Sequence, residues 1–323
     1  MYDLIILGGG PAGLTAGIYT ARGNLNVLML DKQLPGGQLN DTTEVENYPG
    51  FAEPIQGPEL MDQMRRQAER FGLNIKSGEE VVDLNFNDKH SHTVVTDARS
   101  YETQSIIVST GANPVHLPAK GAERLLGRGL SYCATCDGFF FREQNIVMVG
   151  GGDSALTEAL FLTKFAKEVR LAVRHPQDDP NALRAKDQTL RKRVMEHDKI
   201  TFLWNVTVDE LLGEHKLEAV VLNDLGTGEK RTLDDVSAVF VAIGHRPSTD
   251  FLRGKLDMDE RGFLLTDART RTAVSGVYAV GDVRQFSANY AQAIIAAGDG
   301  CIAALECMDY LDDPVWIDDE AER

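Results

Sequence analysis

The chain has 323 residues, enough for two or three domains, and its composition is that of an ordinary globular enzyme. A net charge of −16 argues against nucleic acid as a partner. No apolar run reaches the roughly 18 residues a membrane span needs, and the chain opens on a strand pattern rather than a basic leader, so a cytoplasmic protein without a transmembrane segment is expected.

Residues 2–7 form a short apolar run of the kind buried on both faces of a parallel sheet. The run leads into Gly8-Gly9-Gly10-Pro11-Ala12-Gly13 and then a helical pattern to about Ala21. G-x-G-x-x-G with a strand before it and a helix after it reads as a dinucleotide-binding loop. Gly8 allows the tight turn, Gly10 lets a pyrophosphate approach the backbone, and Gly13 lets the helix pack on the strand. The phosphates then meet free N–H groups at the helix N-terminus. The next strand pattern, 26–30, ends at Asp31, 23 residues after Gly8, where a carboxylate can accept hydrogen bonds from a ribose diol. Gly36-Gly37-Gln38-Leu39 and Glu46-Asn47-Tyr48-Pro49-Gly50 read as loops, suited equally to a flat ligand and to plain turns. An amphipathic helix is predicted at 58–72, with strands near Ile75 and over 81–86, 93–96 and 105–109. The last of these ends in Thr110-Gly111-Ala112, and Asn113-Pro114 and Leu117-Pro118 read as a crossover into a second domain.

Cys133-Ala134-Thr135-Cys136-Asp137 places two thiols with two residues between them. In such a pair a thiolate of low pKa attacks a partner disulfide, and the second thiol resolves the mixed intermediate. A zinc site would need two further ligands, and Cys301 and Cys307 stand apart in an apolar helical pattern, so no metal is expected. A second buried-strand pattern, 145–149, opens into Gly150-Gly151-Gly152-Asp153-Ser154-Ala155 and a helix over 156–165, the G-x-G-x-x-A form of the same loop. The strand 168–173 ends at Arg174, 24 residues after Gly150, and an arginine there suits a phosphate better than a free diol. Asp178 and Asp179 follow in a proline-bounded loop, either opposing a 2′-phosphate or simply solvated. A basic helix is predicted from Arg184 through Lys186, Arg191, Lys192 and Arg193. Strands and a hairpin, turning at Gly226 and Gly228, fill 200–241. Residues 242–247 read as the return crossover, with His245 and Arg246 as hinge or interface residues. The strand 276–280 ends in Gly281-Asp282, where an aspartate can bond a polyol chain, and a helix over 292–308 begins beside it. Disorder is the default for the acidic tail beyond it, which carries Trp316.

Taken in this order, the motifs resemble the low-molecular-weight thioredoxin reductases over about residues 1–311. The resemblance implies an α/β fold of two Rossmann-like dinucleotide-binding domains in three-layer ββα form, the second inserted into the first. An FAD-binding domain would comprise 1–115 and 245–323, and 116–244 would carry a second dinucleotide and the redox disulfide. Carried over by position, Gly8, Gly10, Pro11, Ala12, Gly13, Asp31, Gly37, Gln38, Leu39, Asn47, Gly111, Ala112, Gly281, Asp282, Gln292 and Ala293 would hold FAD. Gly150, Gly152, Asp153, Ser154, Ala155 and Arg174 would hold the second nucleotide. Cys136 would face the flavin, Cys133 would attack the partner, and Asp137 would serve as general acid and base. The family enzymes are homodimers that rotate the inserted domain between two reaction partners, and they act on thioredoxin-like or other dithiol/disulfide partners.

Two departures bear on the second nucleotide. The family's His-Arg-Arg-x-x-x-Arg patch for the NADPH 2′-phosphate reads Val173-Arg174-His175 here, with an acidic insertion and a late Arg184. Its Arg-Gln-Ala before the last helix reads Ala291-Gln292-Ala293. Each departure removes a cation, and a lost charge-assisted hydrogen bond to phosphate costs about 1.5–3 kcal/mol, roughly tenfold or more in affinity. The expectation favoured by the sequence is therefore a second FAD in that site, as in pyridine-nucleotide-independent, diflavin-linked relatives. An NADPH-dependent thioredoxin reductase with a weakened phosphate site is the alternative. A ferredoxin-linked reductase and a non-enzymatic flavin sensor stand behind both. The tail also departs from the family pattern, and its Trp316 is expected to cover a flavin face.

Overall fold

β1 (Tyr2–Leu7) brings Leu4, Ile5, Ile6 and Leu7 into full burial, as a parallel strand covered on both faces requires. In the computed structural model, residues 1–42, 44–88, 91–184, 188–314 and 316 are described. β1 is followed by α1 (Pro11–Arg22), β2 (Val27–Asp31), α2 (Gly57–Arg70) and β3 (Asn74–Ser77), then β4 (Val81–Asp88), β5 (Ser91–Thr96) and β6 (Ser100–Val108). α2 is amphipathic: Leu60, Met61, Met64 and Ala68 are buried at helical spacing, and Asp62, Arg65 and Glu69 pair on the outer face. The chain then forms a separate unit. Its elements are α3 (Ala134–Asp137), β7 (Asn145–Val149), α4 (Asp153–Leu162), β8 (Glu168–Val173), α5 (Gln188–Met195), β9 (Ile200–Trp204), β10 (Val206–Leu212), β11 (Ala219–Asp224), β12 (Lys230–Leu233) and β13 (Ala238–Val241). It returns to add β14 (Val277–Ala279) and α6 (Ala293–Asp312) to the first unit.

The chain divides into two compact units, Met1–Asn113 with Arg246–Arg323, and Pro114–His245. In the first, one seven-stranded sheet has the order β3-β2-β1-β6-β5-β4, with β14 pairing in parallel with β6. β3, β2, β1, β6 and β14 run parallel, while β4, β5 and β6 form an antiparallel meander. One face of the parallel sheet packs Leu4, Ile6 and Tyr278 against residues of α1, α2 and α6. Its other face packs Ile5, Leu7 and Ala279 against Leu84, Val94 and Tyr101 of the meander. The result is three layers. α6 approaches α1 at Gly300, where a Cβ would stand 2.1 Å from the Ala12 carbonyl oxygen.

In the second unit a five-stranded parallel sheet runs β9-β8-β7-β13 and ends on the short strand Leu130–Ser131. Its first four strands take the 3-2-1-4 order of a mononucleotide fold, and the strand at the fifth position precedes them in the chain. A three-stranded antiparallel sheet, β10-β11-β12, forms its second β-layer. Both units are thus Rossmann-like, the fold class the sequence implied, and in each the glycine loop leaves the C-terminal end of a central parallel strand. Among the described residues no helix is long and apolar enough to cross a membrane.

Two expectations are corrected. Arg184 does not begin a helix: α5 starts at Gln188, and Lys186 lies outside the described residues. Trp316 does not cover a flavin face. Its ring is 2% exposed, packs edge-on against Tyr278 and Tyr310 at 5.2 and 5.1 Å, and donates its N–H to the Thr272 carbonyl at 3.1 Å. An indole with its faces and its donor occupied in the core is spent as a structural anchor.

Candidate active site

The first unit gathers its candidate residues where β1, β6 and β14 end. Gly8 turns with φ +100°, and its N–H donates to Leu30 O at 2.8 Å. A Cβ on Gly13 would come 2.0 Å from Gly8 O, so only glycine lets α1 sit this close to the turn. A Cβ on Gly10 would meet no protein atom within 4 Å. That opening faces the start of α1, which has Pro11 at its first position and no side-chain cap, leaving first-turn N–H groups for a phosphate. Asp31 accepts from the Gly9 N–H at 2.7 Å and the Gln33 N–H at 2.9 Å, so it braces the loop and keeps further lone pairs for a ribose. Gly37 lies beside Gly10, and Leu39 O is packed close against Gly57. Gln38 Nε2 donates to Ala112 O at 2.7 Å, next to Gly111 with φ +69°. Asn47 Nδ2 donates to Gln292 Oε1 at 3.1 Å, at the N-cap of α6, whose first residue is Ala293.

Asp282 closes this cradle. Burial, and after it the Asp299 carboxylate, pushes its carboxyl up to about 6. No side-chain or backbone donor among the described residues accounts for its burial, so it is suited to a sugar-alcohol hydroxyl. The Gly281 turn that carries it is held by a buried group that sequence reasoning missed. Asp299 accepts from Gly281 N at 3.1 Å, from Ser287 Oγ at 2.5 Å and from Arg284 Nη1 at 2.9 Å. An open glycine cradle, a braced ribose carboxylate and a buried acid at the sheet end fit a flavin dinucleotide with a polyol linker.

The second unit repeats the loop at the end of β7. Gly150 turns with φ +144°, a Cβ on Gly152 would meet no protein atom within 4 Å, and α4 begins at Asp153 without a side-chain cap. Ser154 is exposed and Ala155 is buried against Gly150. Arg174 is exposed at the end of β8. Its Nε donates to His175 Nε2 at 3.3 Å, and His175 Nδ1 meets Asp179 Oδ2 at 2.8 Å. Asp179 is thereby taken up by His175 and by the Asn181 N–H. The insertion then returns to the glycine loop: the Arg184 N–H donates to Gly151 O at 2.7 Å. The backbone of Arg184 thus stands on the glycine loop.

Cys133 and Cys136 form a disulfide. Cys133 caps α3, with the Cys136 N–H donating to its Sγ at 3.2 Å and Thr135 Oγ1 at 3.4 Å from it. The Cys133 N–H donates to Ser131 Oγ at 3.0 Å. An N–H aimed at Sγ stabilises a thiolate there once the bond is opened. Asp137 is raised by burial, against which the Ser131 hydroxyl works. Glu158 of α4 is a second missed acid: burial pushes it up to about 7, against the Ala134 N–H directed at it. The signal was present, because Glu158 lies on the stripe of Ala155, Ala159 and Leu162 that α4 buries. Cys307 is fully buried and pushed up to about 12, Cys301 is half-buried, and no metal-ligating cluster occurs among the described residues.

Comparison with known proteins agrees with this chemistry. The pyridine nucleotide-disulphide oxidoreductase family profile matches residues 2–300. A thioredoxin reductase of Mycolicibacterium smegmatis is 46% identical over 96% of this chain and 97% of its own length. A bifunctional thioredoxin reductase/thioredoxin of Mycobacterium leprae is 42% identical over 96% of this chain and 66% of its own. The crystal structure of thioredoxin reductase from Streptococcus pyogenes superposes with a TM-score of 0.89 at 39% identity, covering 97% of this chain and 98% of that one. The chain belongs to the pyridine nucleotide-disulphide oxidoreductase family and, within it, to the low-molecular-weight thioredoxin reductases, flavoprotein disulfide oxidoreductases.

Proposed function

We propose that this enzyme is an NADPH-fed thioredoxin reductase whose first unit holds FAD and whose second unit takes the pyridine nucleotide. The observation that carries the donor is the Arg184 N–H on Gly151 O, which returns a second arginine to the loop beside Arg174. Arg174 and Arg184 would then offer two guanidinium groups to a 2′-phosphate. FAD, when bound, supplies the two-electron carrier between nucleotide and disulfide. The chain's own residues do the rest. Opening the disulfide breaks one S–S bond and takes up two electrons and a proton, leaving a thiol and a thiolate. The hydrogen bonds at Cys133 favour the thiolate there, so Cys133 attacks the partner disulfide while Cys136 faces the flavin. Asp137, whose hold on a proton burial strengthens, moves the thiol proton.

A second FAD in the Gly150 site, the reading favoured from sequence, is supported by His175 and Ala291 standing where the family carries arginines. The two readings separate on flavin content. One FAD per chain in freshly purified protein, with a KM for NADPH raised about tenfold or more in Arg184→Ala and an unchanged KM for NADH, supports NADPH. Two FAD per chain, with no anaerobic bleaching of the flavin by NADPH, replaces it with the diflavin reading. The partner is proposed to be a thioredoxin-like protein, as the relatives' names suggest, in the reducing cytoplasm that such a dithiol needs. A homodimer is proposed on the apolar outer side of α6, where Ile294, Ile295, Ile302 and Leu305 are exposed. Light scattering at twice the chain mass, 35.5 kDa, tests it.

A further inference from the structure

α4 carries one acid into the buried layer beneath the cysteine pair. Glu158 lies on the stripe of Ala155, Ala159 and Leu162, and all three are buried. Its Oε2 is buried with no hydrogen-bond partner. The polar group directed at its carboxylate is the N–H of Ala134, the residue after Cys133 in the disulfide turn. A half-satisfied carboxyl in such a place is costly, and an alanine or leucine would fill it more cheaply. Mere packing does not account for it.

We infer that Glu158 is a positioning residue of the redox pair: its carboxyl group, set against the Ala134 N–H between the two cysteines, takes up a proton when the disulfide opens. The inference rests on the pair being redox-active and is independent of which nucleotide occupies the Gly150 site. With Glu158 ionised beforehand, the balance is complete. The S–S bond breaks and two electrons and two protons enter; Cys136 becomes a thiol, Cys133 a thiolate and Glu158 a carboxylic acid. The new charge on Cys133 disfavours a second negative charge at its own turn, which draws the proton onto Glu158. Burial holds the acid at about 7 in the oxidised protein, so a small push suffices. The charged groups on the surrounding elements lie elsewhere. α3 offers Asp137, which works with Ser131; β8 offers Glu168 and Arg170, bound to Thr201 and Asp235; α5 offers Arg191, Lys192 and Arg193; β7 has none. None of them contributes to the shift at Glu158.

The test is the equilibrium between the flavin-loaded, full-length protein and dithiothreitol from about pH 5.5 to 8.5. Rapid alkylation and mass spectrometry of the Cys133–Cys136 peptide give the fraction opened. Where Glu158 is already protonated the pair takes up one proton, so the constant rises about tenfold per pH unit; where Glu158 takes the second proton the constant flattens. The wild type is expected to bend from one regime to the other near neutral pH. Glu158→Gln should keep rising, ending about tenfold or more above the wild type at about pH 8.5, and Asp137→Asn should keep the bend. A bend retained in Glu158→Gln, or absent from the wild type, overturns the inference. Infrared difference spectra of the unmutated protein give a second check. Reduction at about pH 8 must produce a protonated-carboxyl band that shifts in heavy water, and its absence also overturns the inference. If dithiothreitol never opens the pair, the redox reading of the cysteines falls, and this inference with it.

Discussion

Asp282 sits at the residue scale with a measurable consequence. Its carboxyl is raised to about 6, so in flavin-free protein it retains a proton that the unfolded chain releases near pH 4. Between those values the native state binds more protons than the unfolded one, and stability falls as pH rises through the window and stays lower above it. Asp282→Asn removes that cost. The flavin-free variant should be more stable than its parent by about 1–3 kcal/mol at about pH 8 and equal to it at about pH 4. Urea midpoints at the two pH values check this, and a variant weaker at the higher pH would defeat it. Cys136→Ser should abolish disulfide turnover and leave the flavin bound; full turnover would remove Cys136 from the pathway. The residues read most easily from sequence were those on short spacings, such as Gly8 to Gly13 and the cysteine pair. Asp299 and Glu158 were missed because an acid on a helix reads as surface unless its place in the buried stripe is checked. The return of Arg184's backbone to Gly151 was not legible, because counting along the chain cannot show that an insertion loops out and comes back.

At the scale of elements, the central strands and the helices after them were legible. A continuous apolar run ending in glycines has few other ways to bury itself. The edges were less so: α4 ends at Leu162 rather than at residue 165, and the basic stretch after Arg184 becomes helical only from Gln188. Capping and tertiary contacts decide those limits, and neither has a periodic signature. The contact of α6 with α1 was invisible for the same reason, since Gly300 reads as one more small residue in an alanine-rich helix. A methyl group there would stand 2.1 Å from the Ala12 carbonyl, so the helices must part. Gly300→Ala is expected to cost about 1–3 kcal/mol and to loosen flavin retention, because α1 and the Asp282 turn both lean on α6. A thermal melt and the flavin fraction surviving dialysis measure the two effects. A variant with the parent's melting temperature would show that the contact yields without strain.

For the whole molecule, the order of motifs disclosed the fold class and the family together, because each strand–glycine–helix passage constrains the next element of the chain. The fate of the tail was not legible, since a single tryptophan among acids gives no pattern. Its burial against Tyr278 and Tyr310 makes Trp316→Ala a core deletion, expected to cost about 3–5 kcal/mol. Flavin absorbance should stay unchanged, because the indole lies in the packed core. A shifted flavin spectrum would instead return Trp316 to the flavin. The same anchoring has a spectroscopic use. The chain contains 2 tryptophans: Trp316 belongs to the unit Met1–Asn113 with Arg246–Arg323, and Trp204, stacked on Phe202 at 4.5 Å, to Pro114–His245. Each unit therefore carries its own intrinsic fluorophore. In flavin-free protein, Trp204→Phe and Trp316→Phe should yield emission curves that report the melting of one unit apiece. Superimposed curves would mean the inserted half cannot come undone without its host, and separated ones that it can.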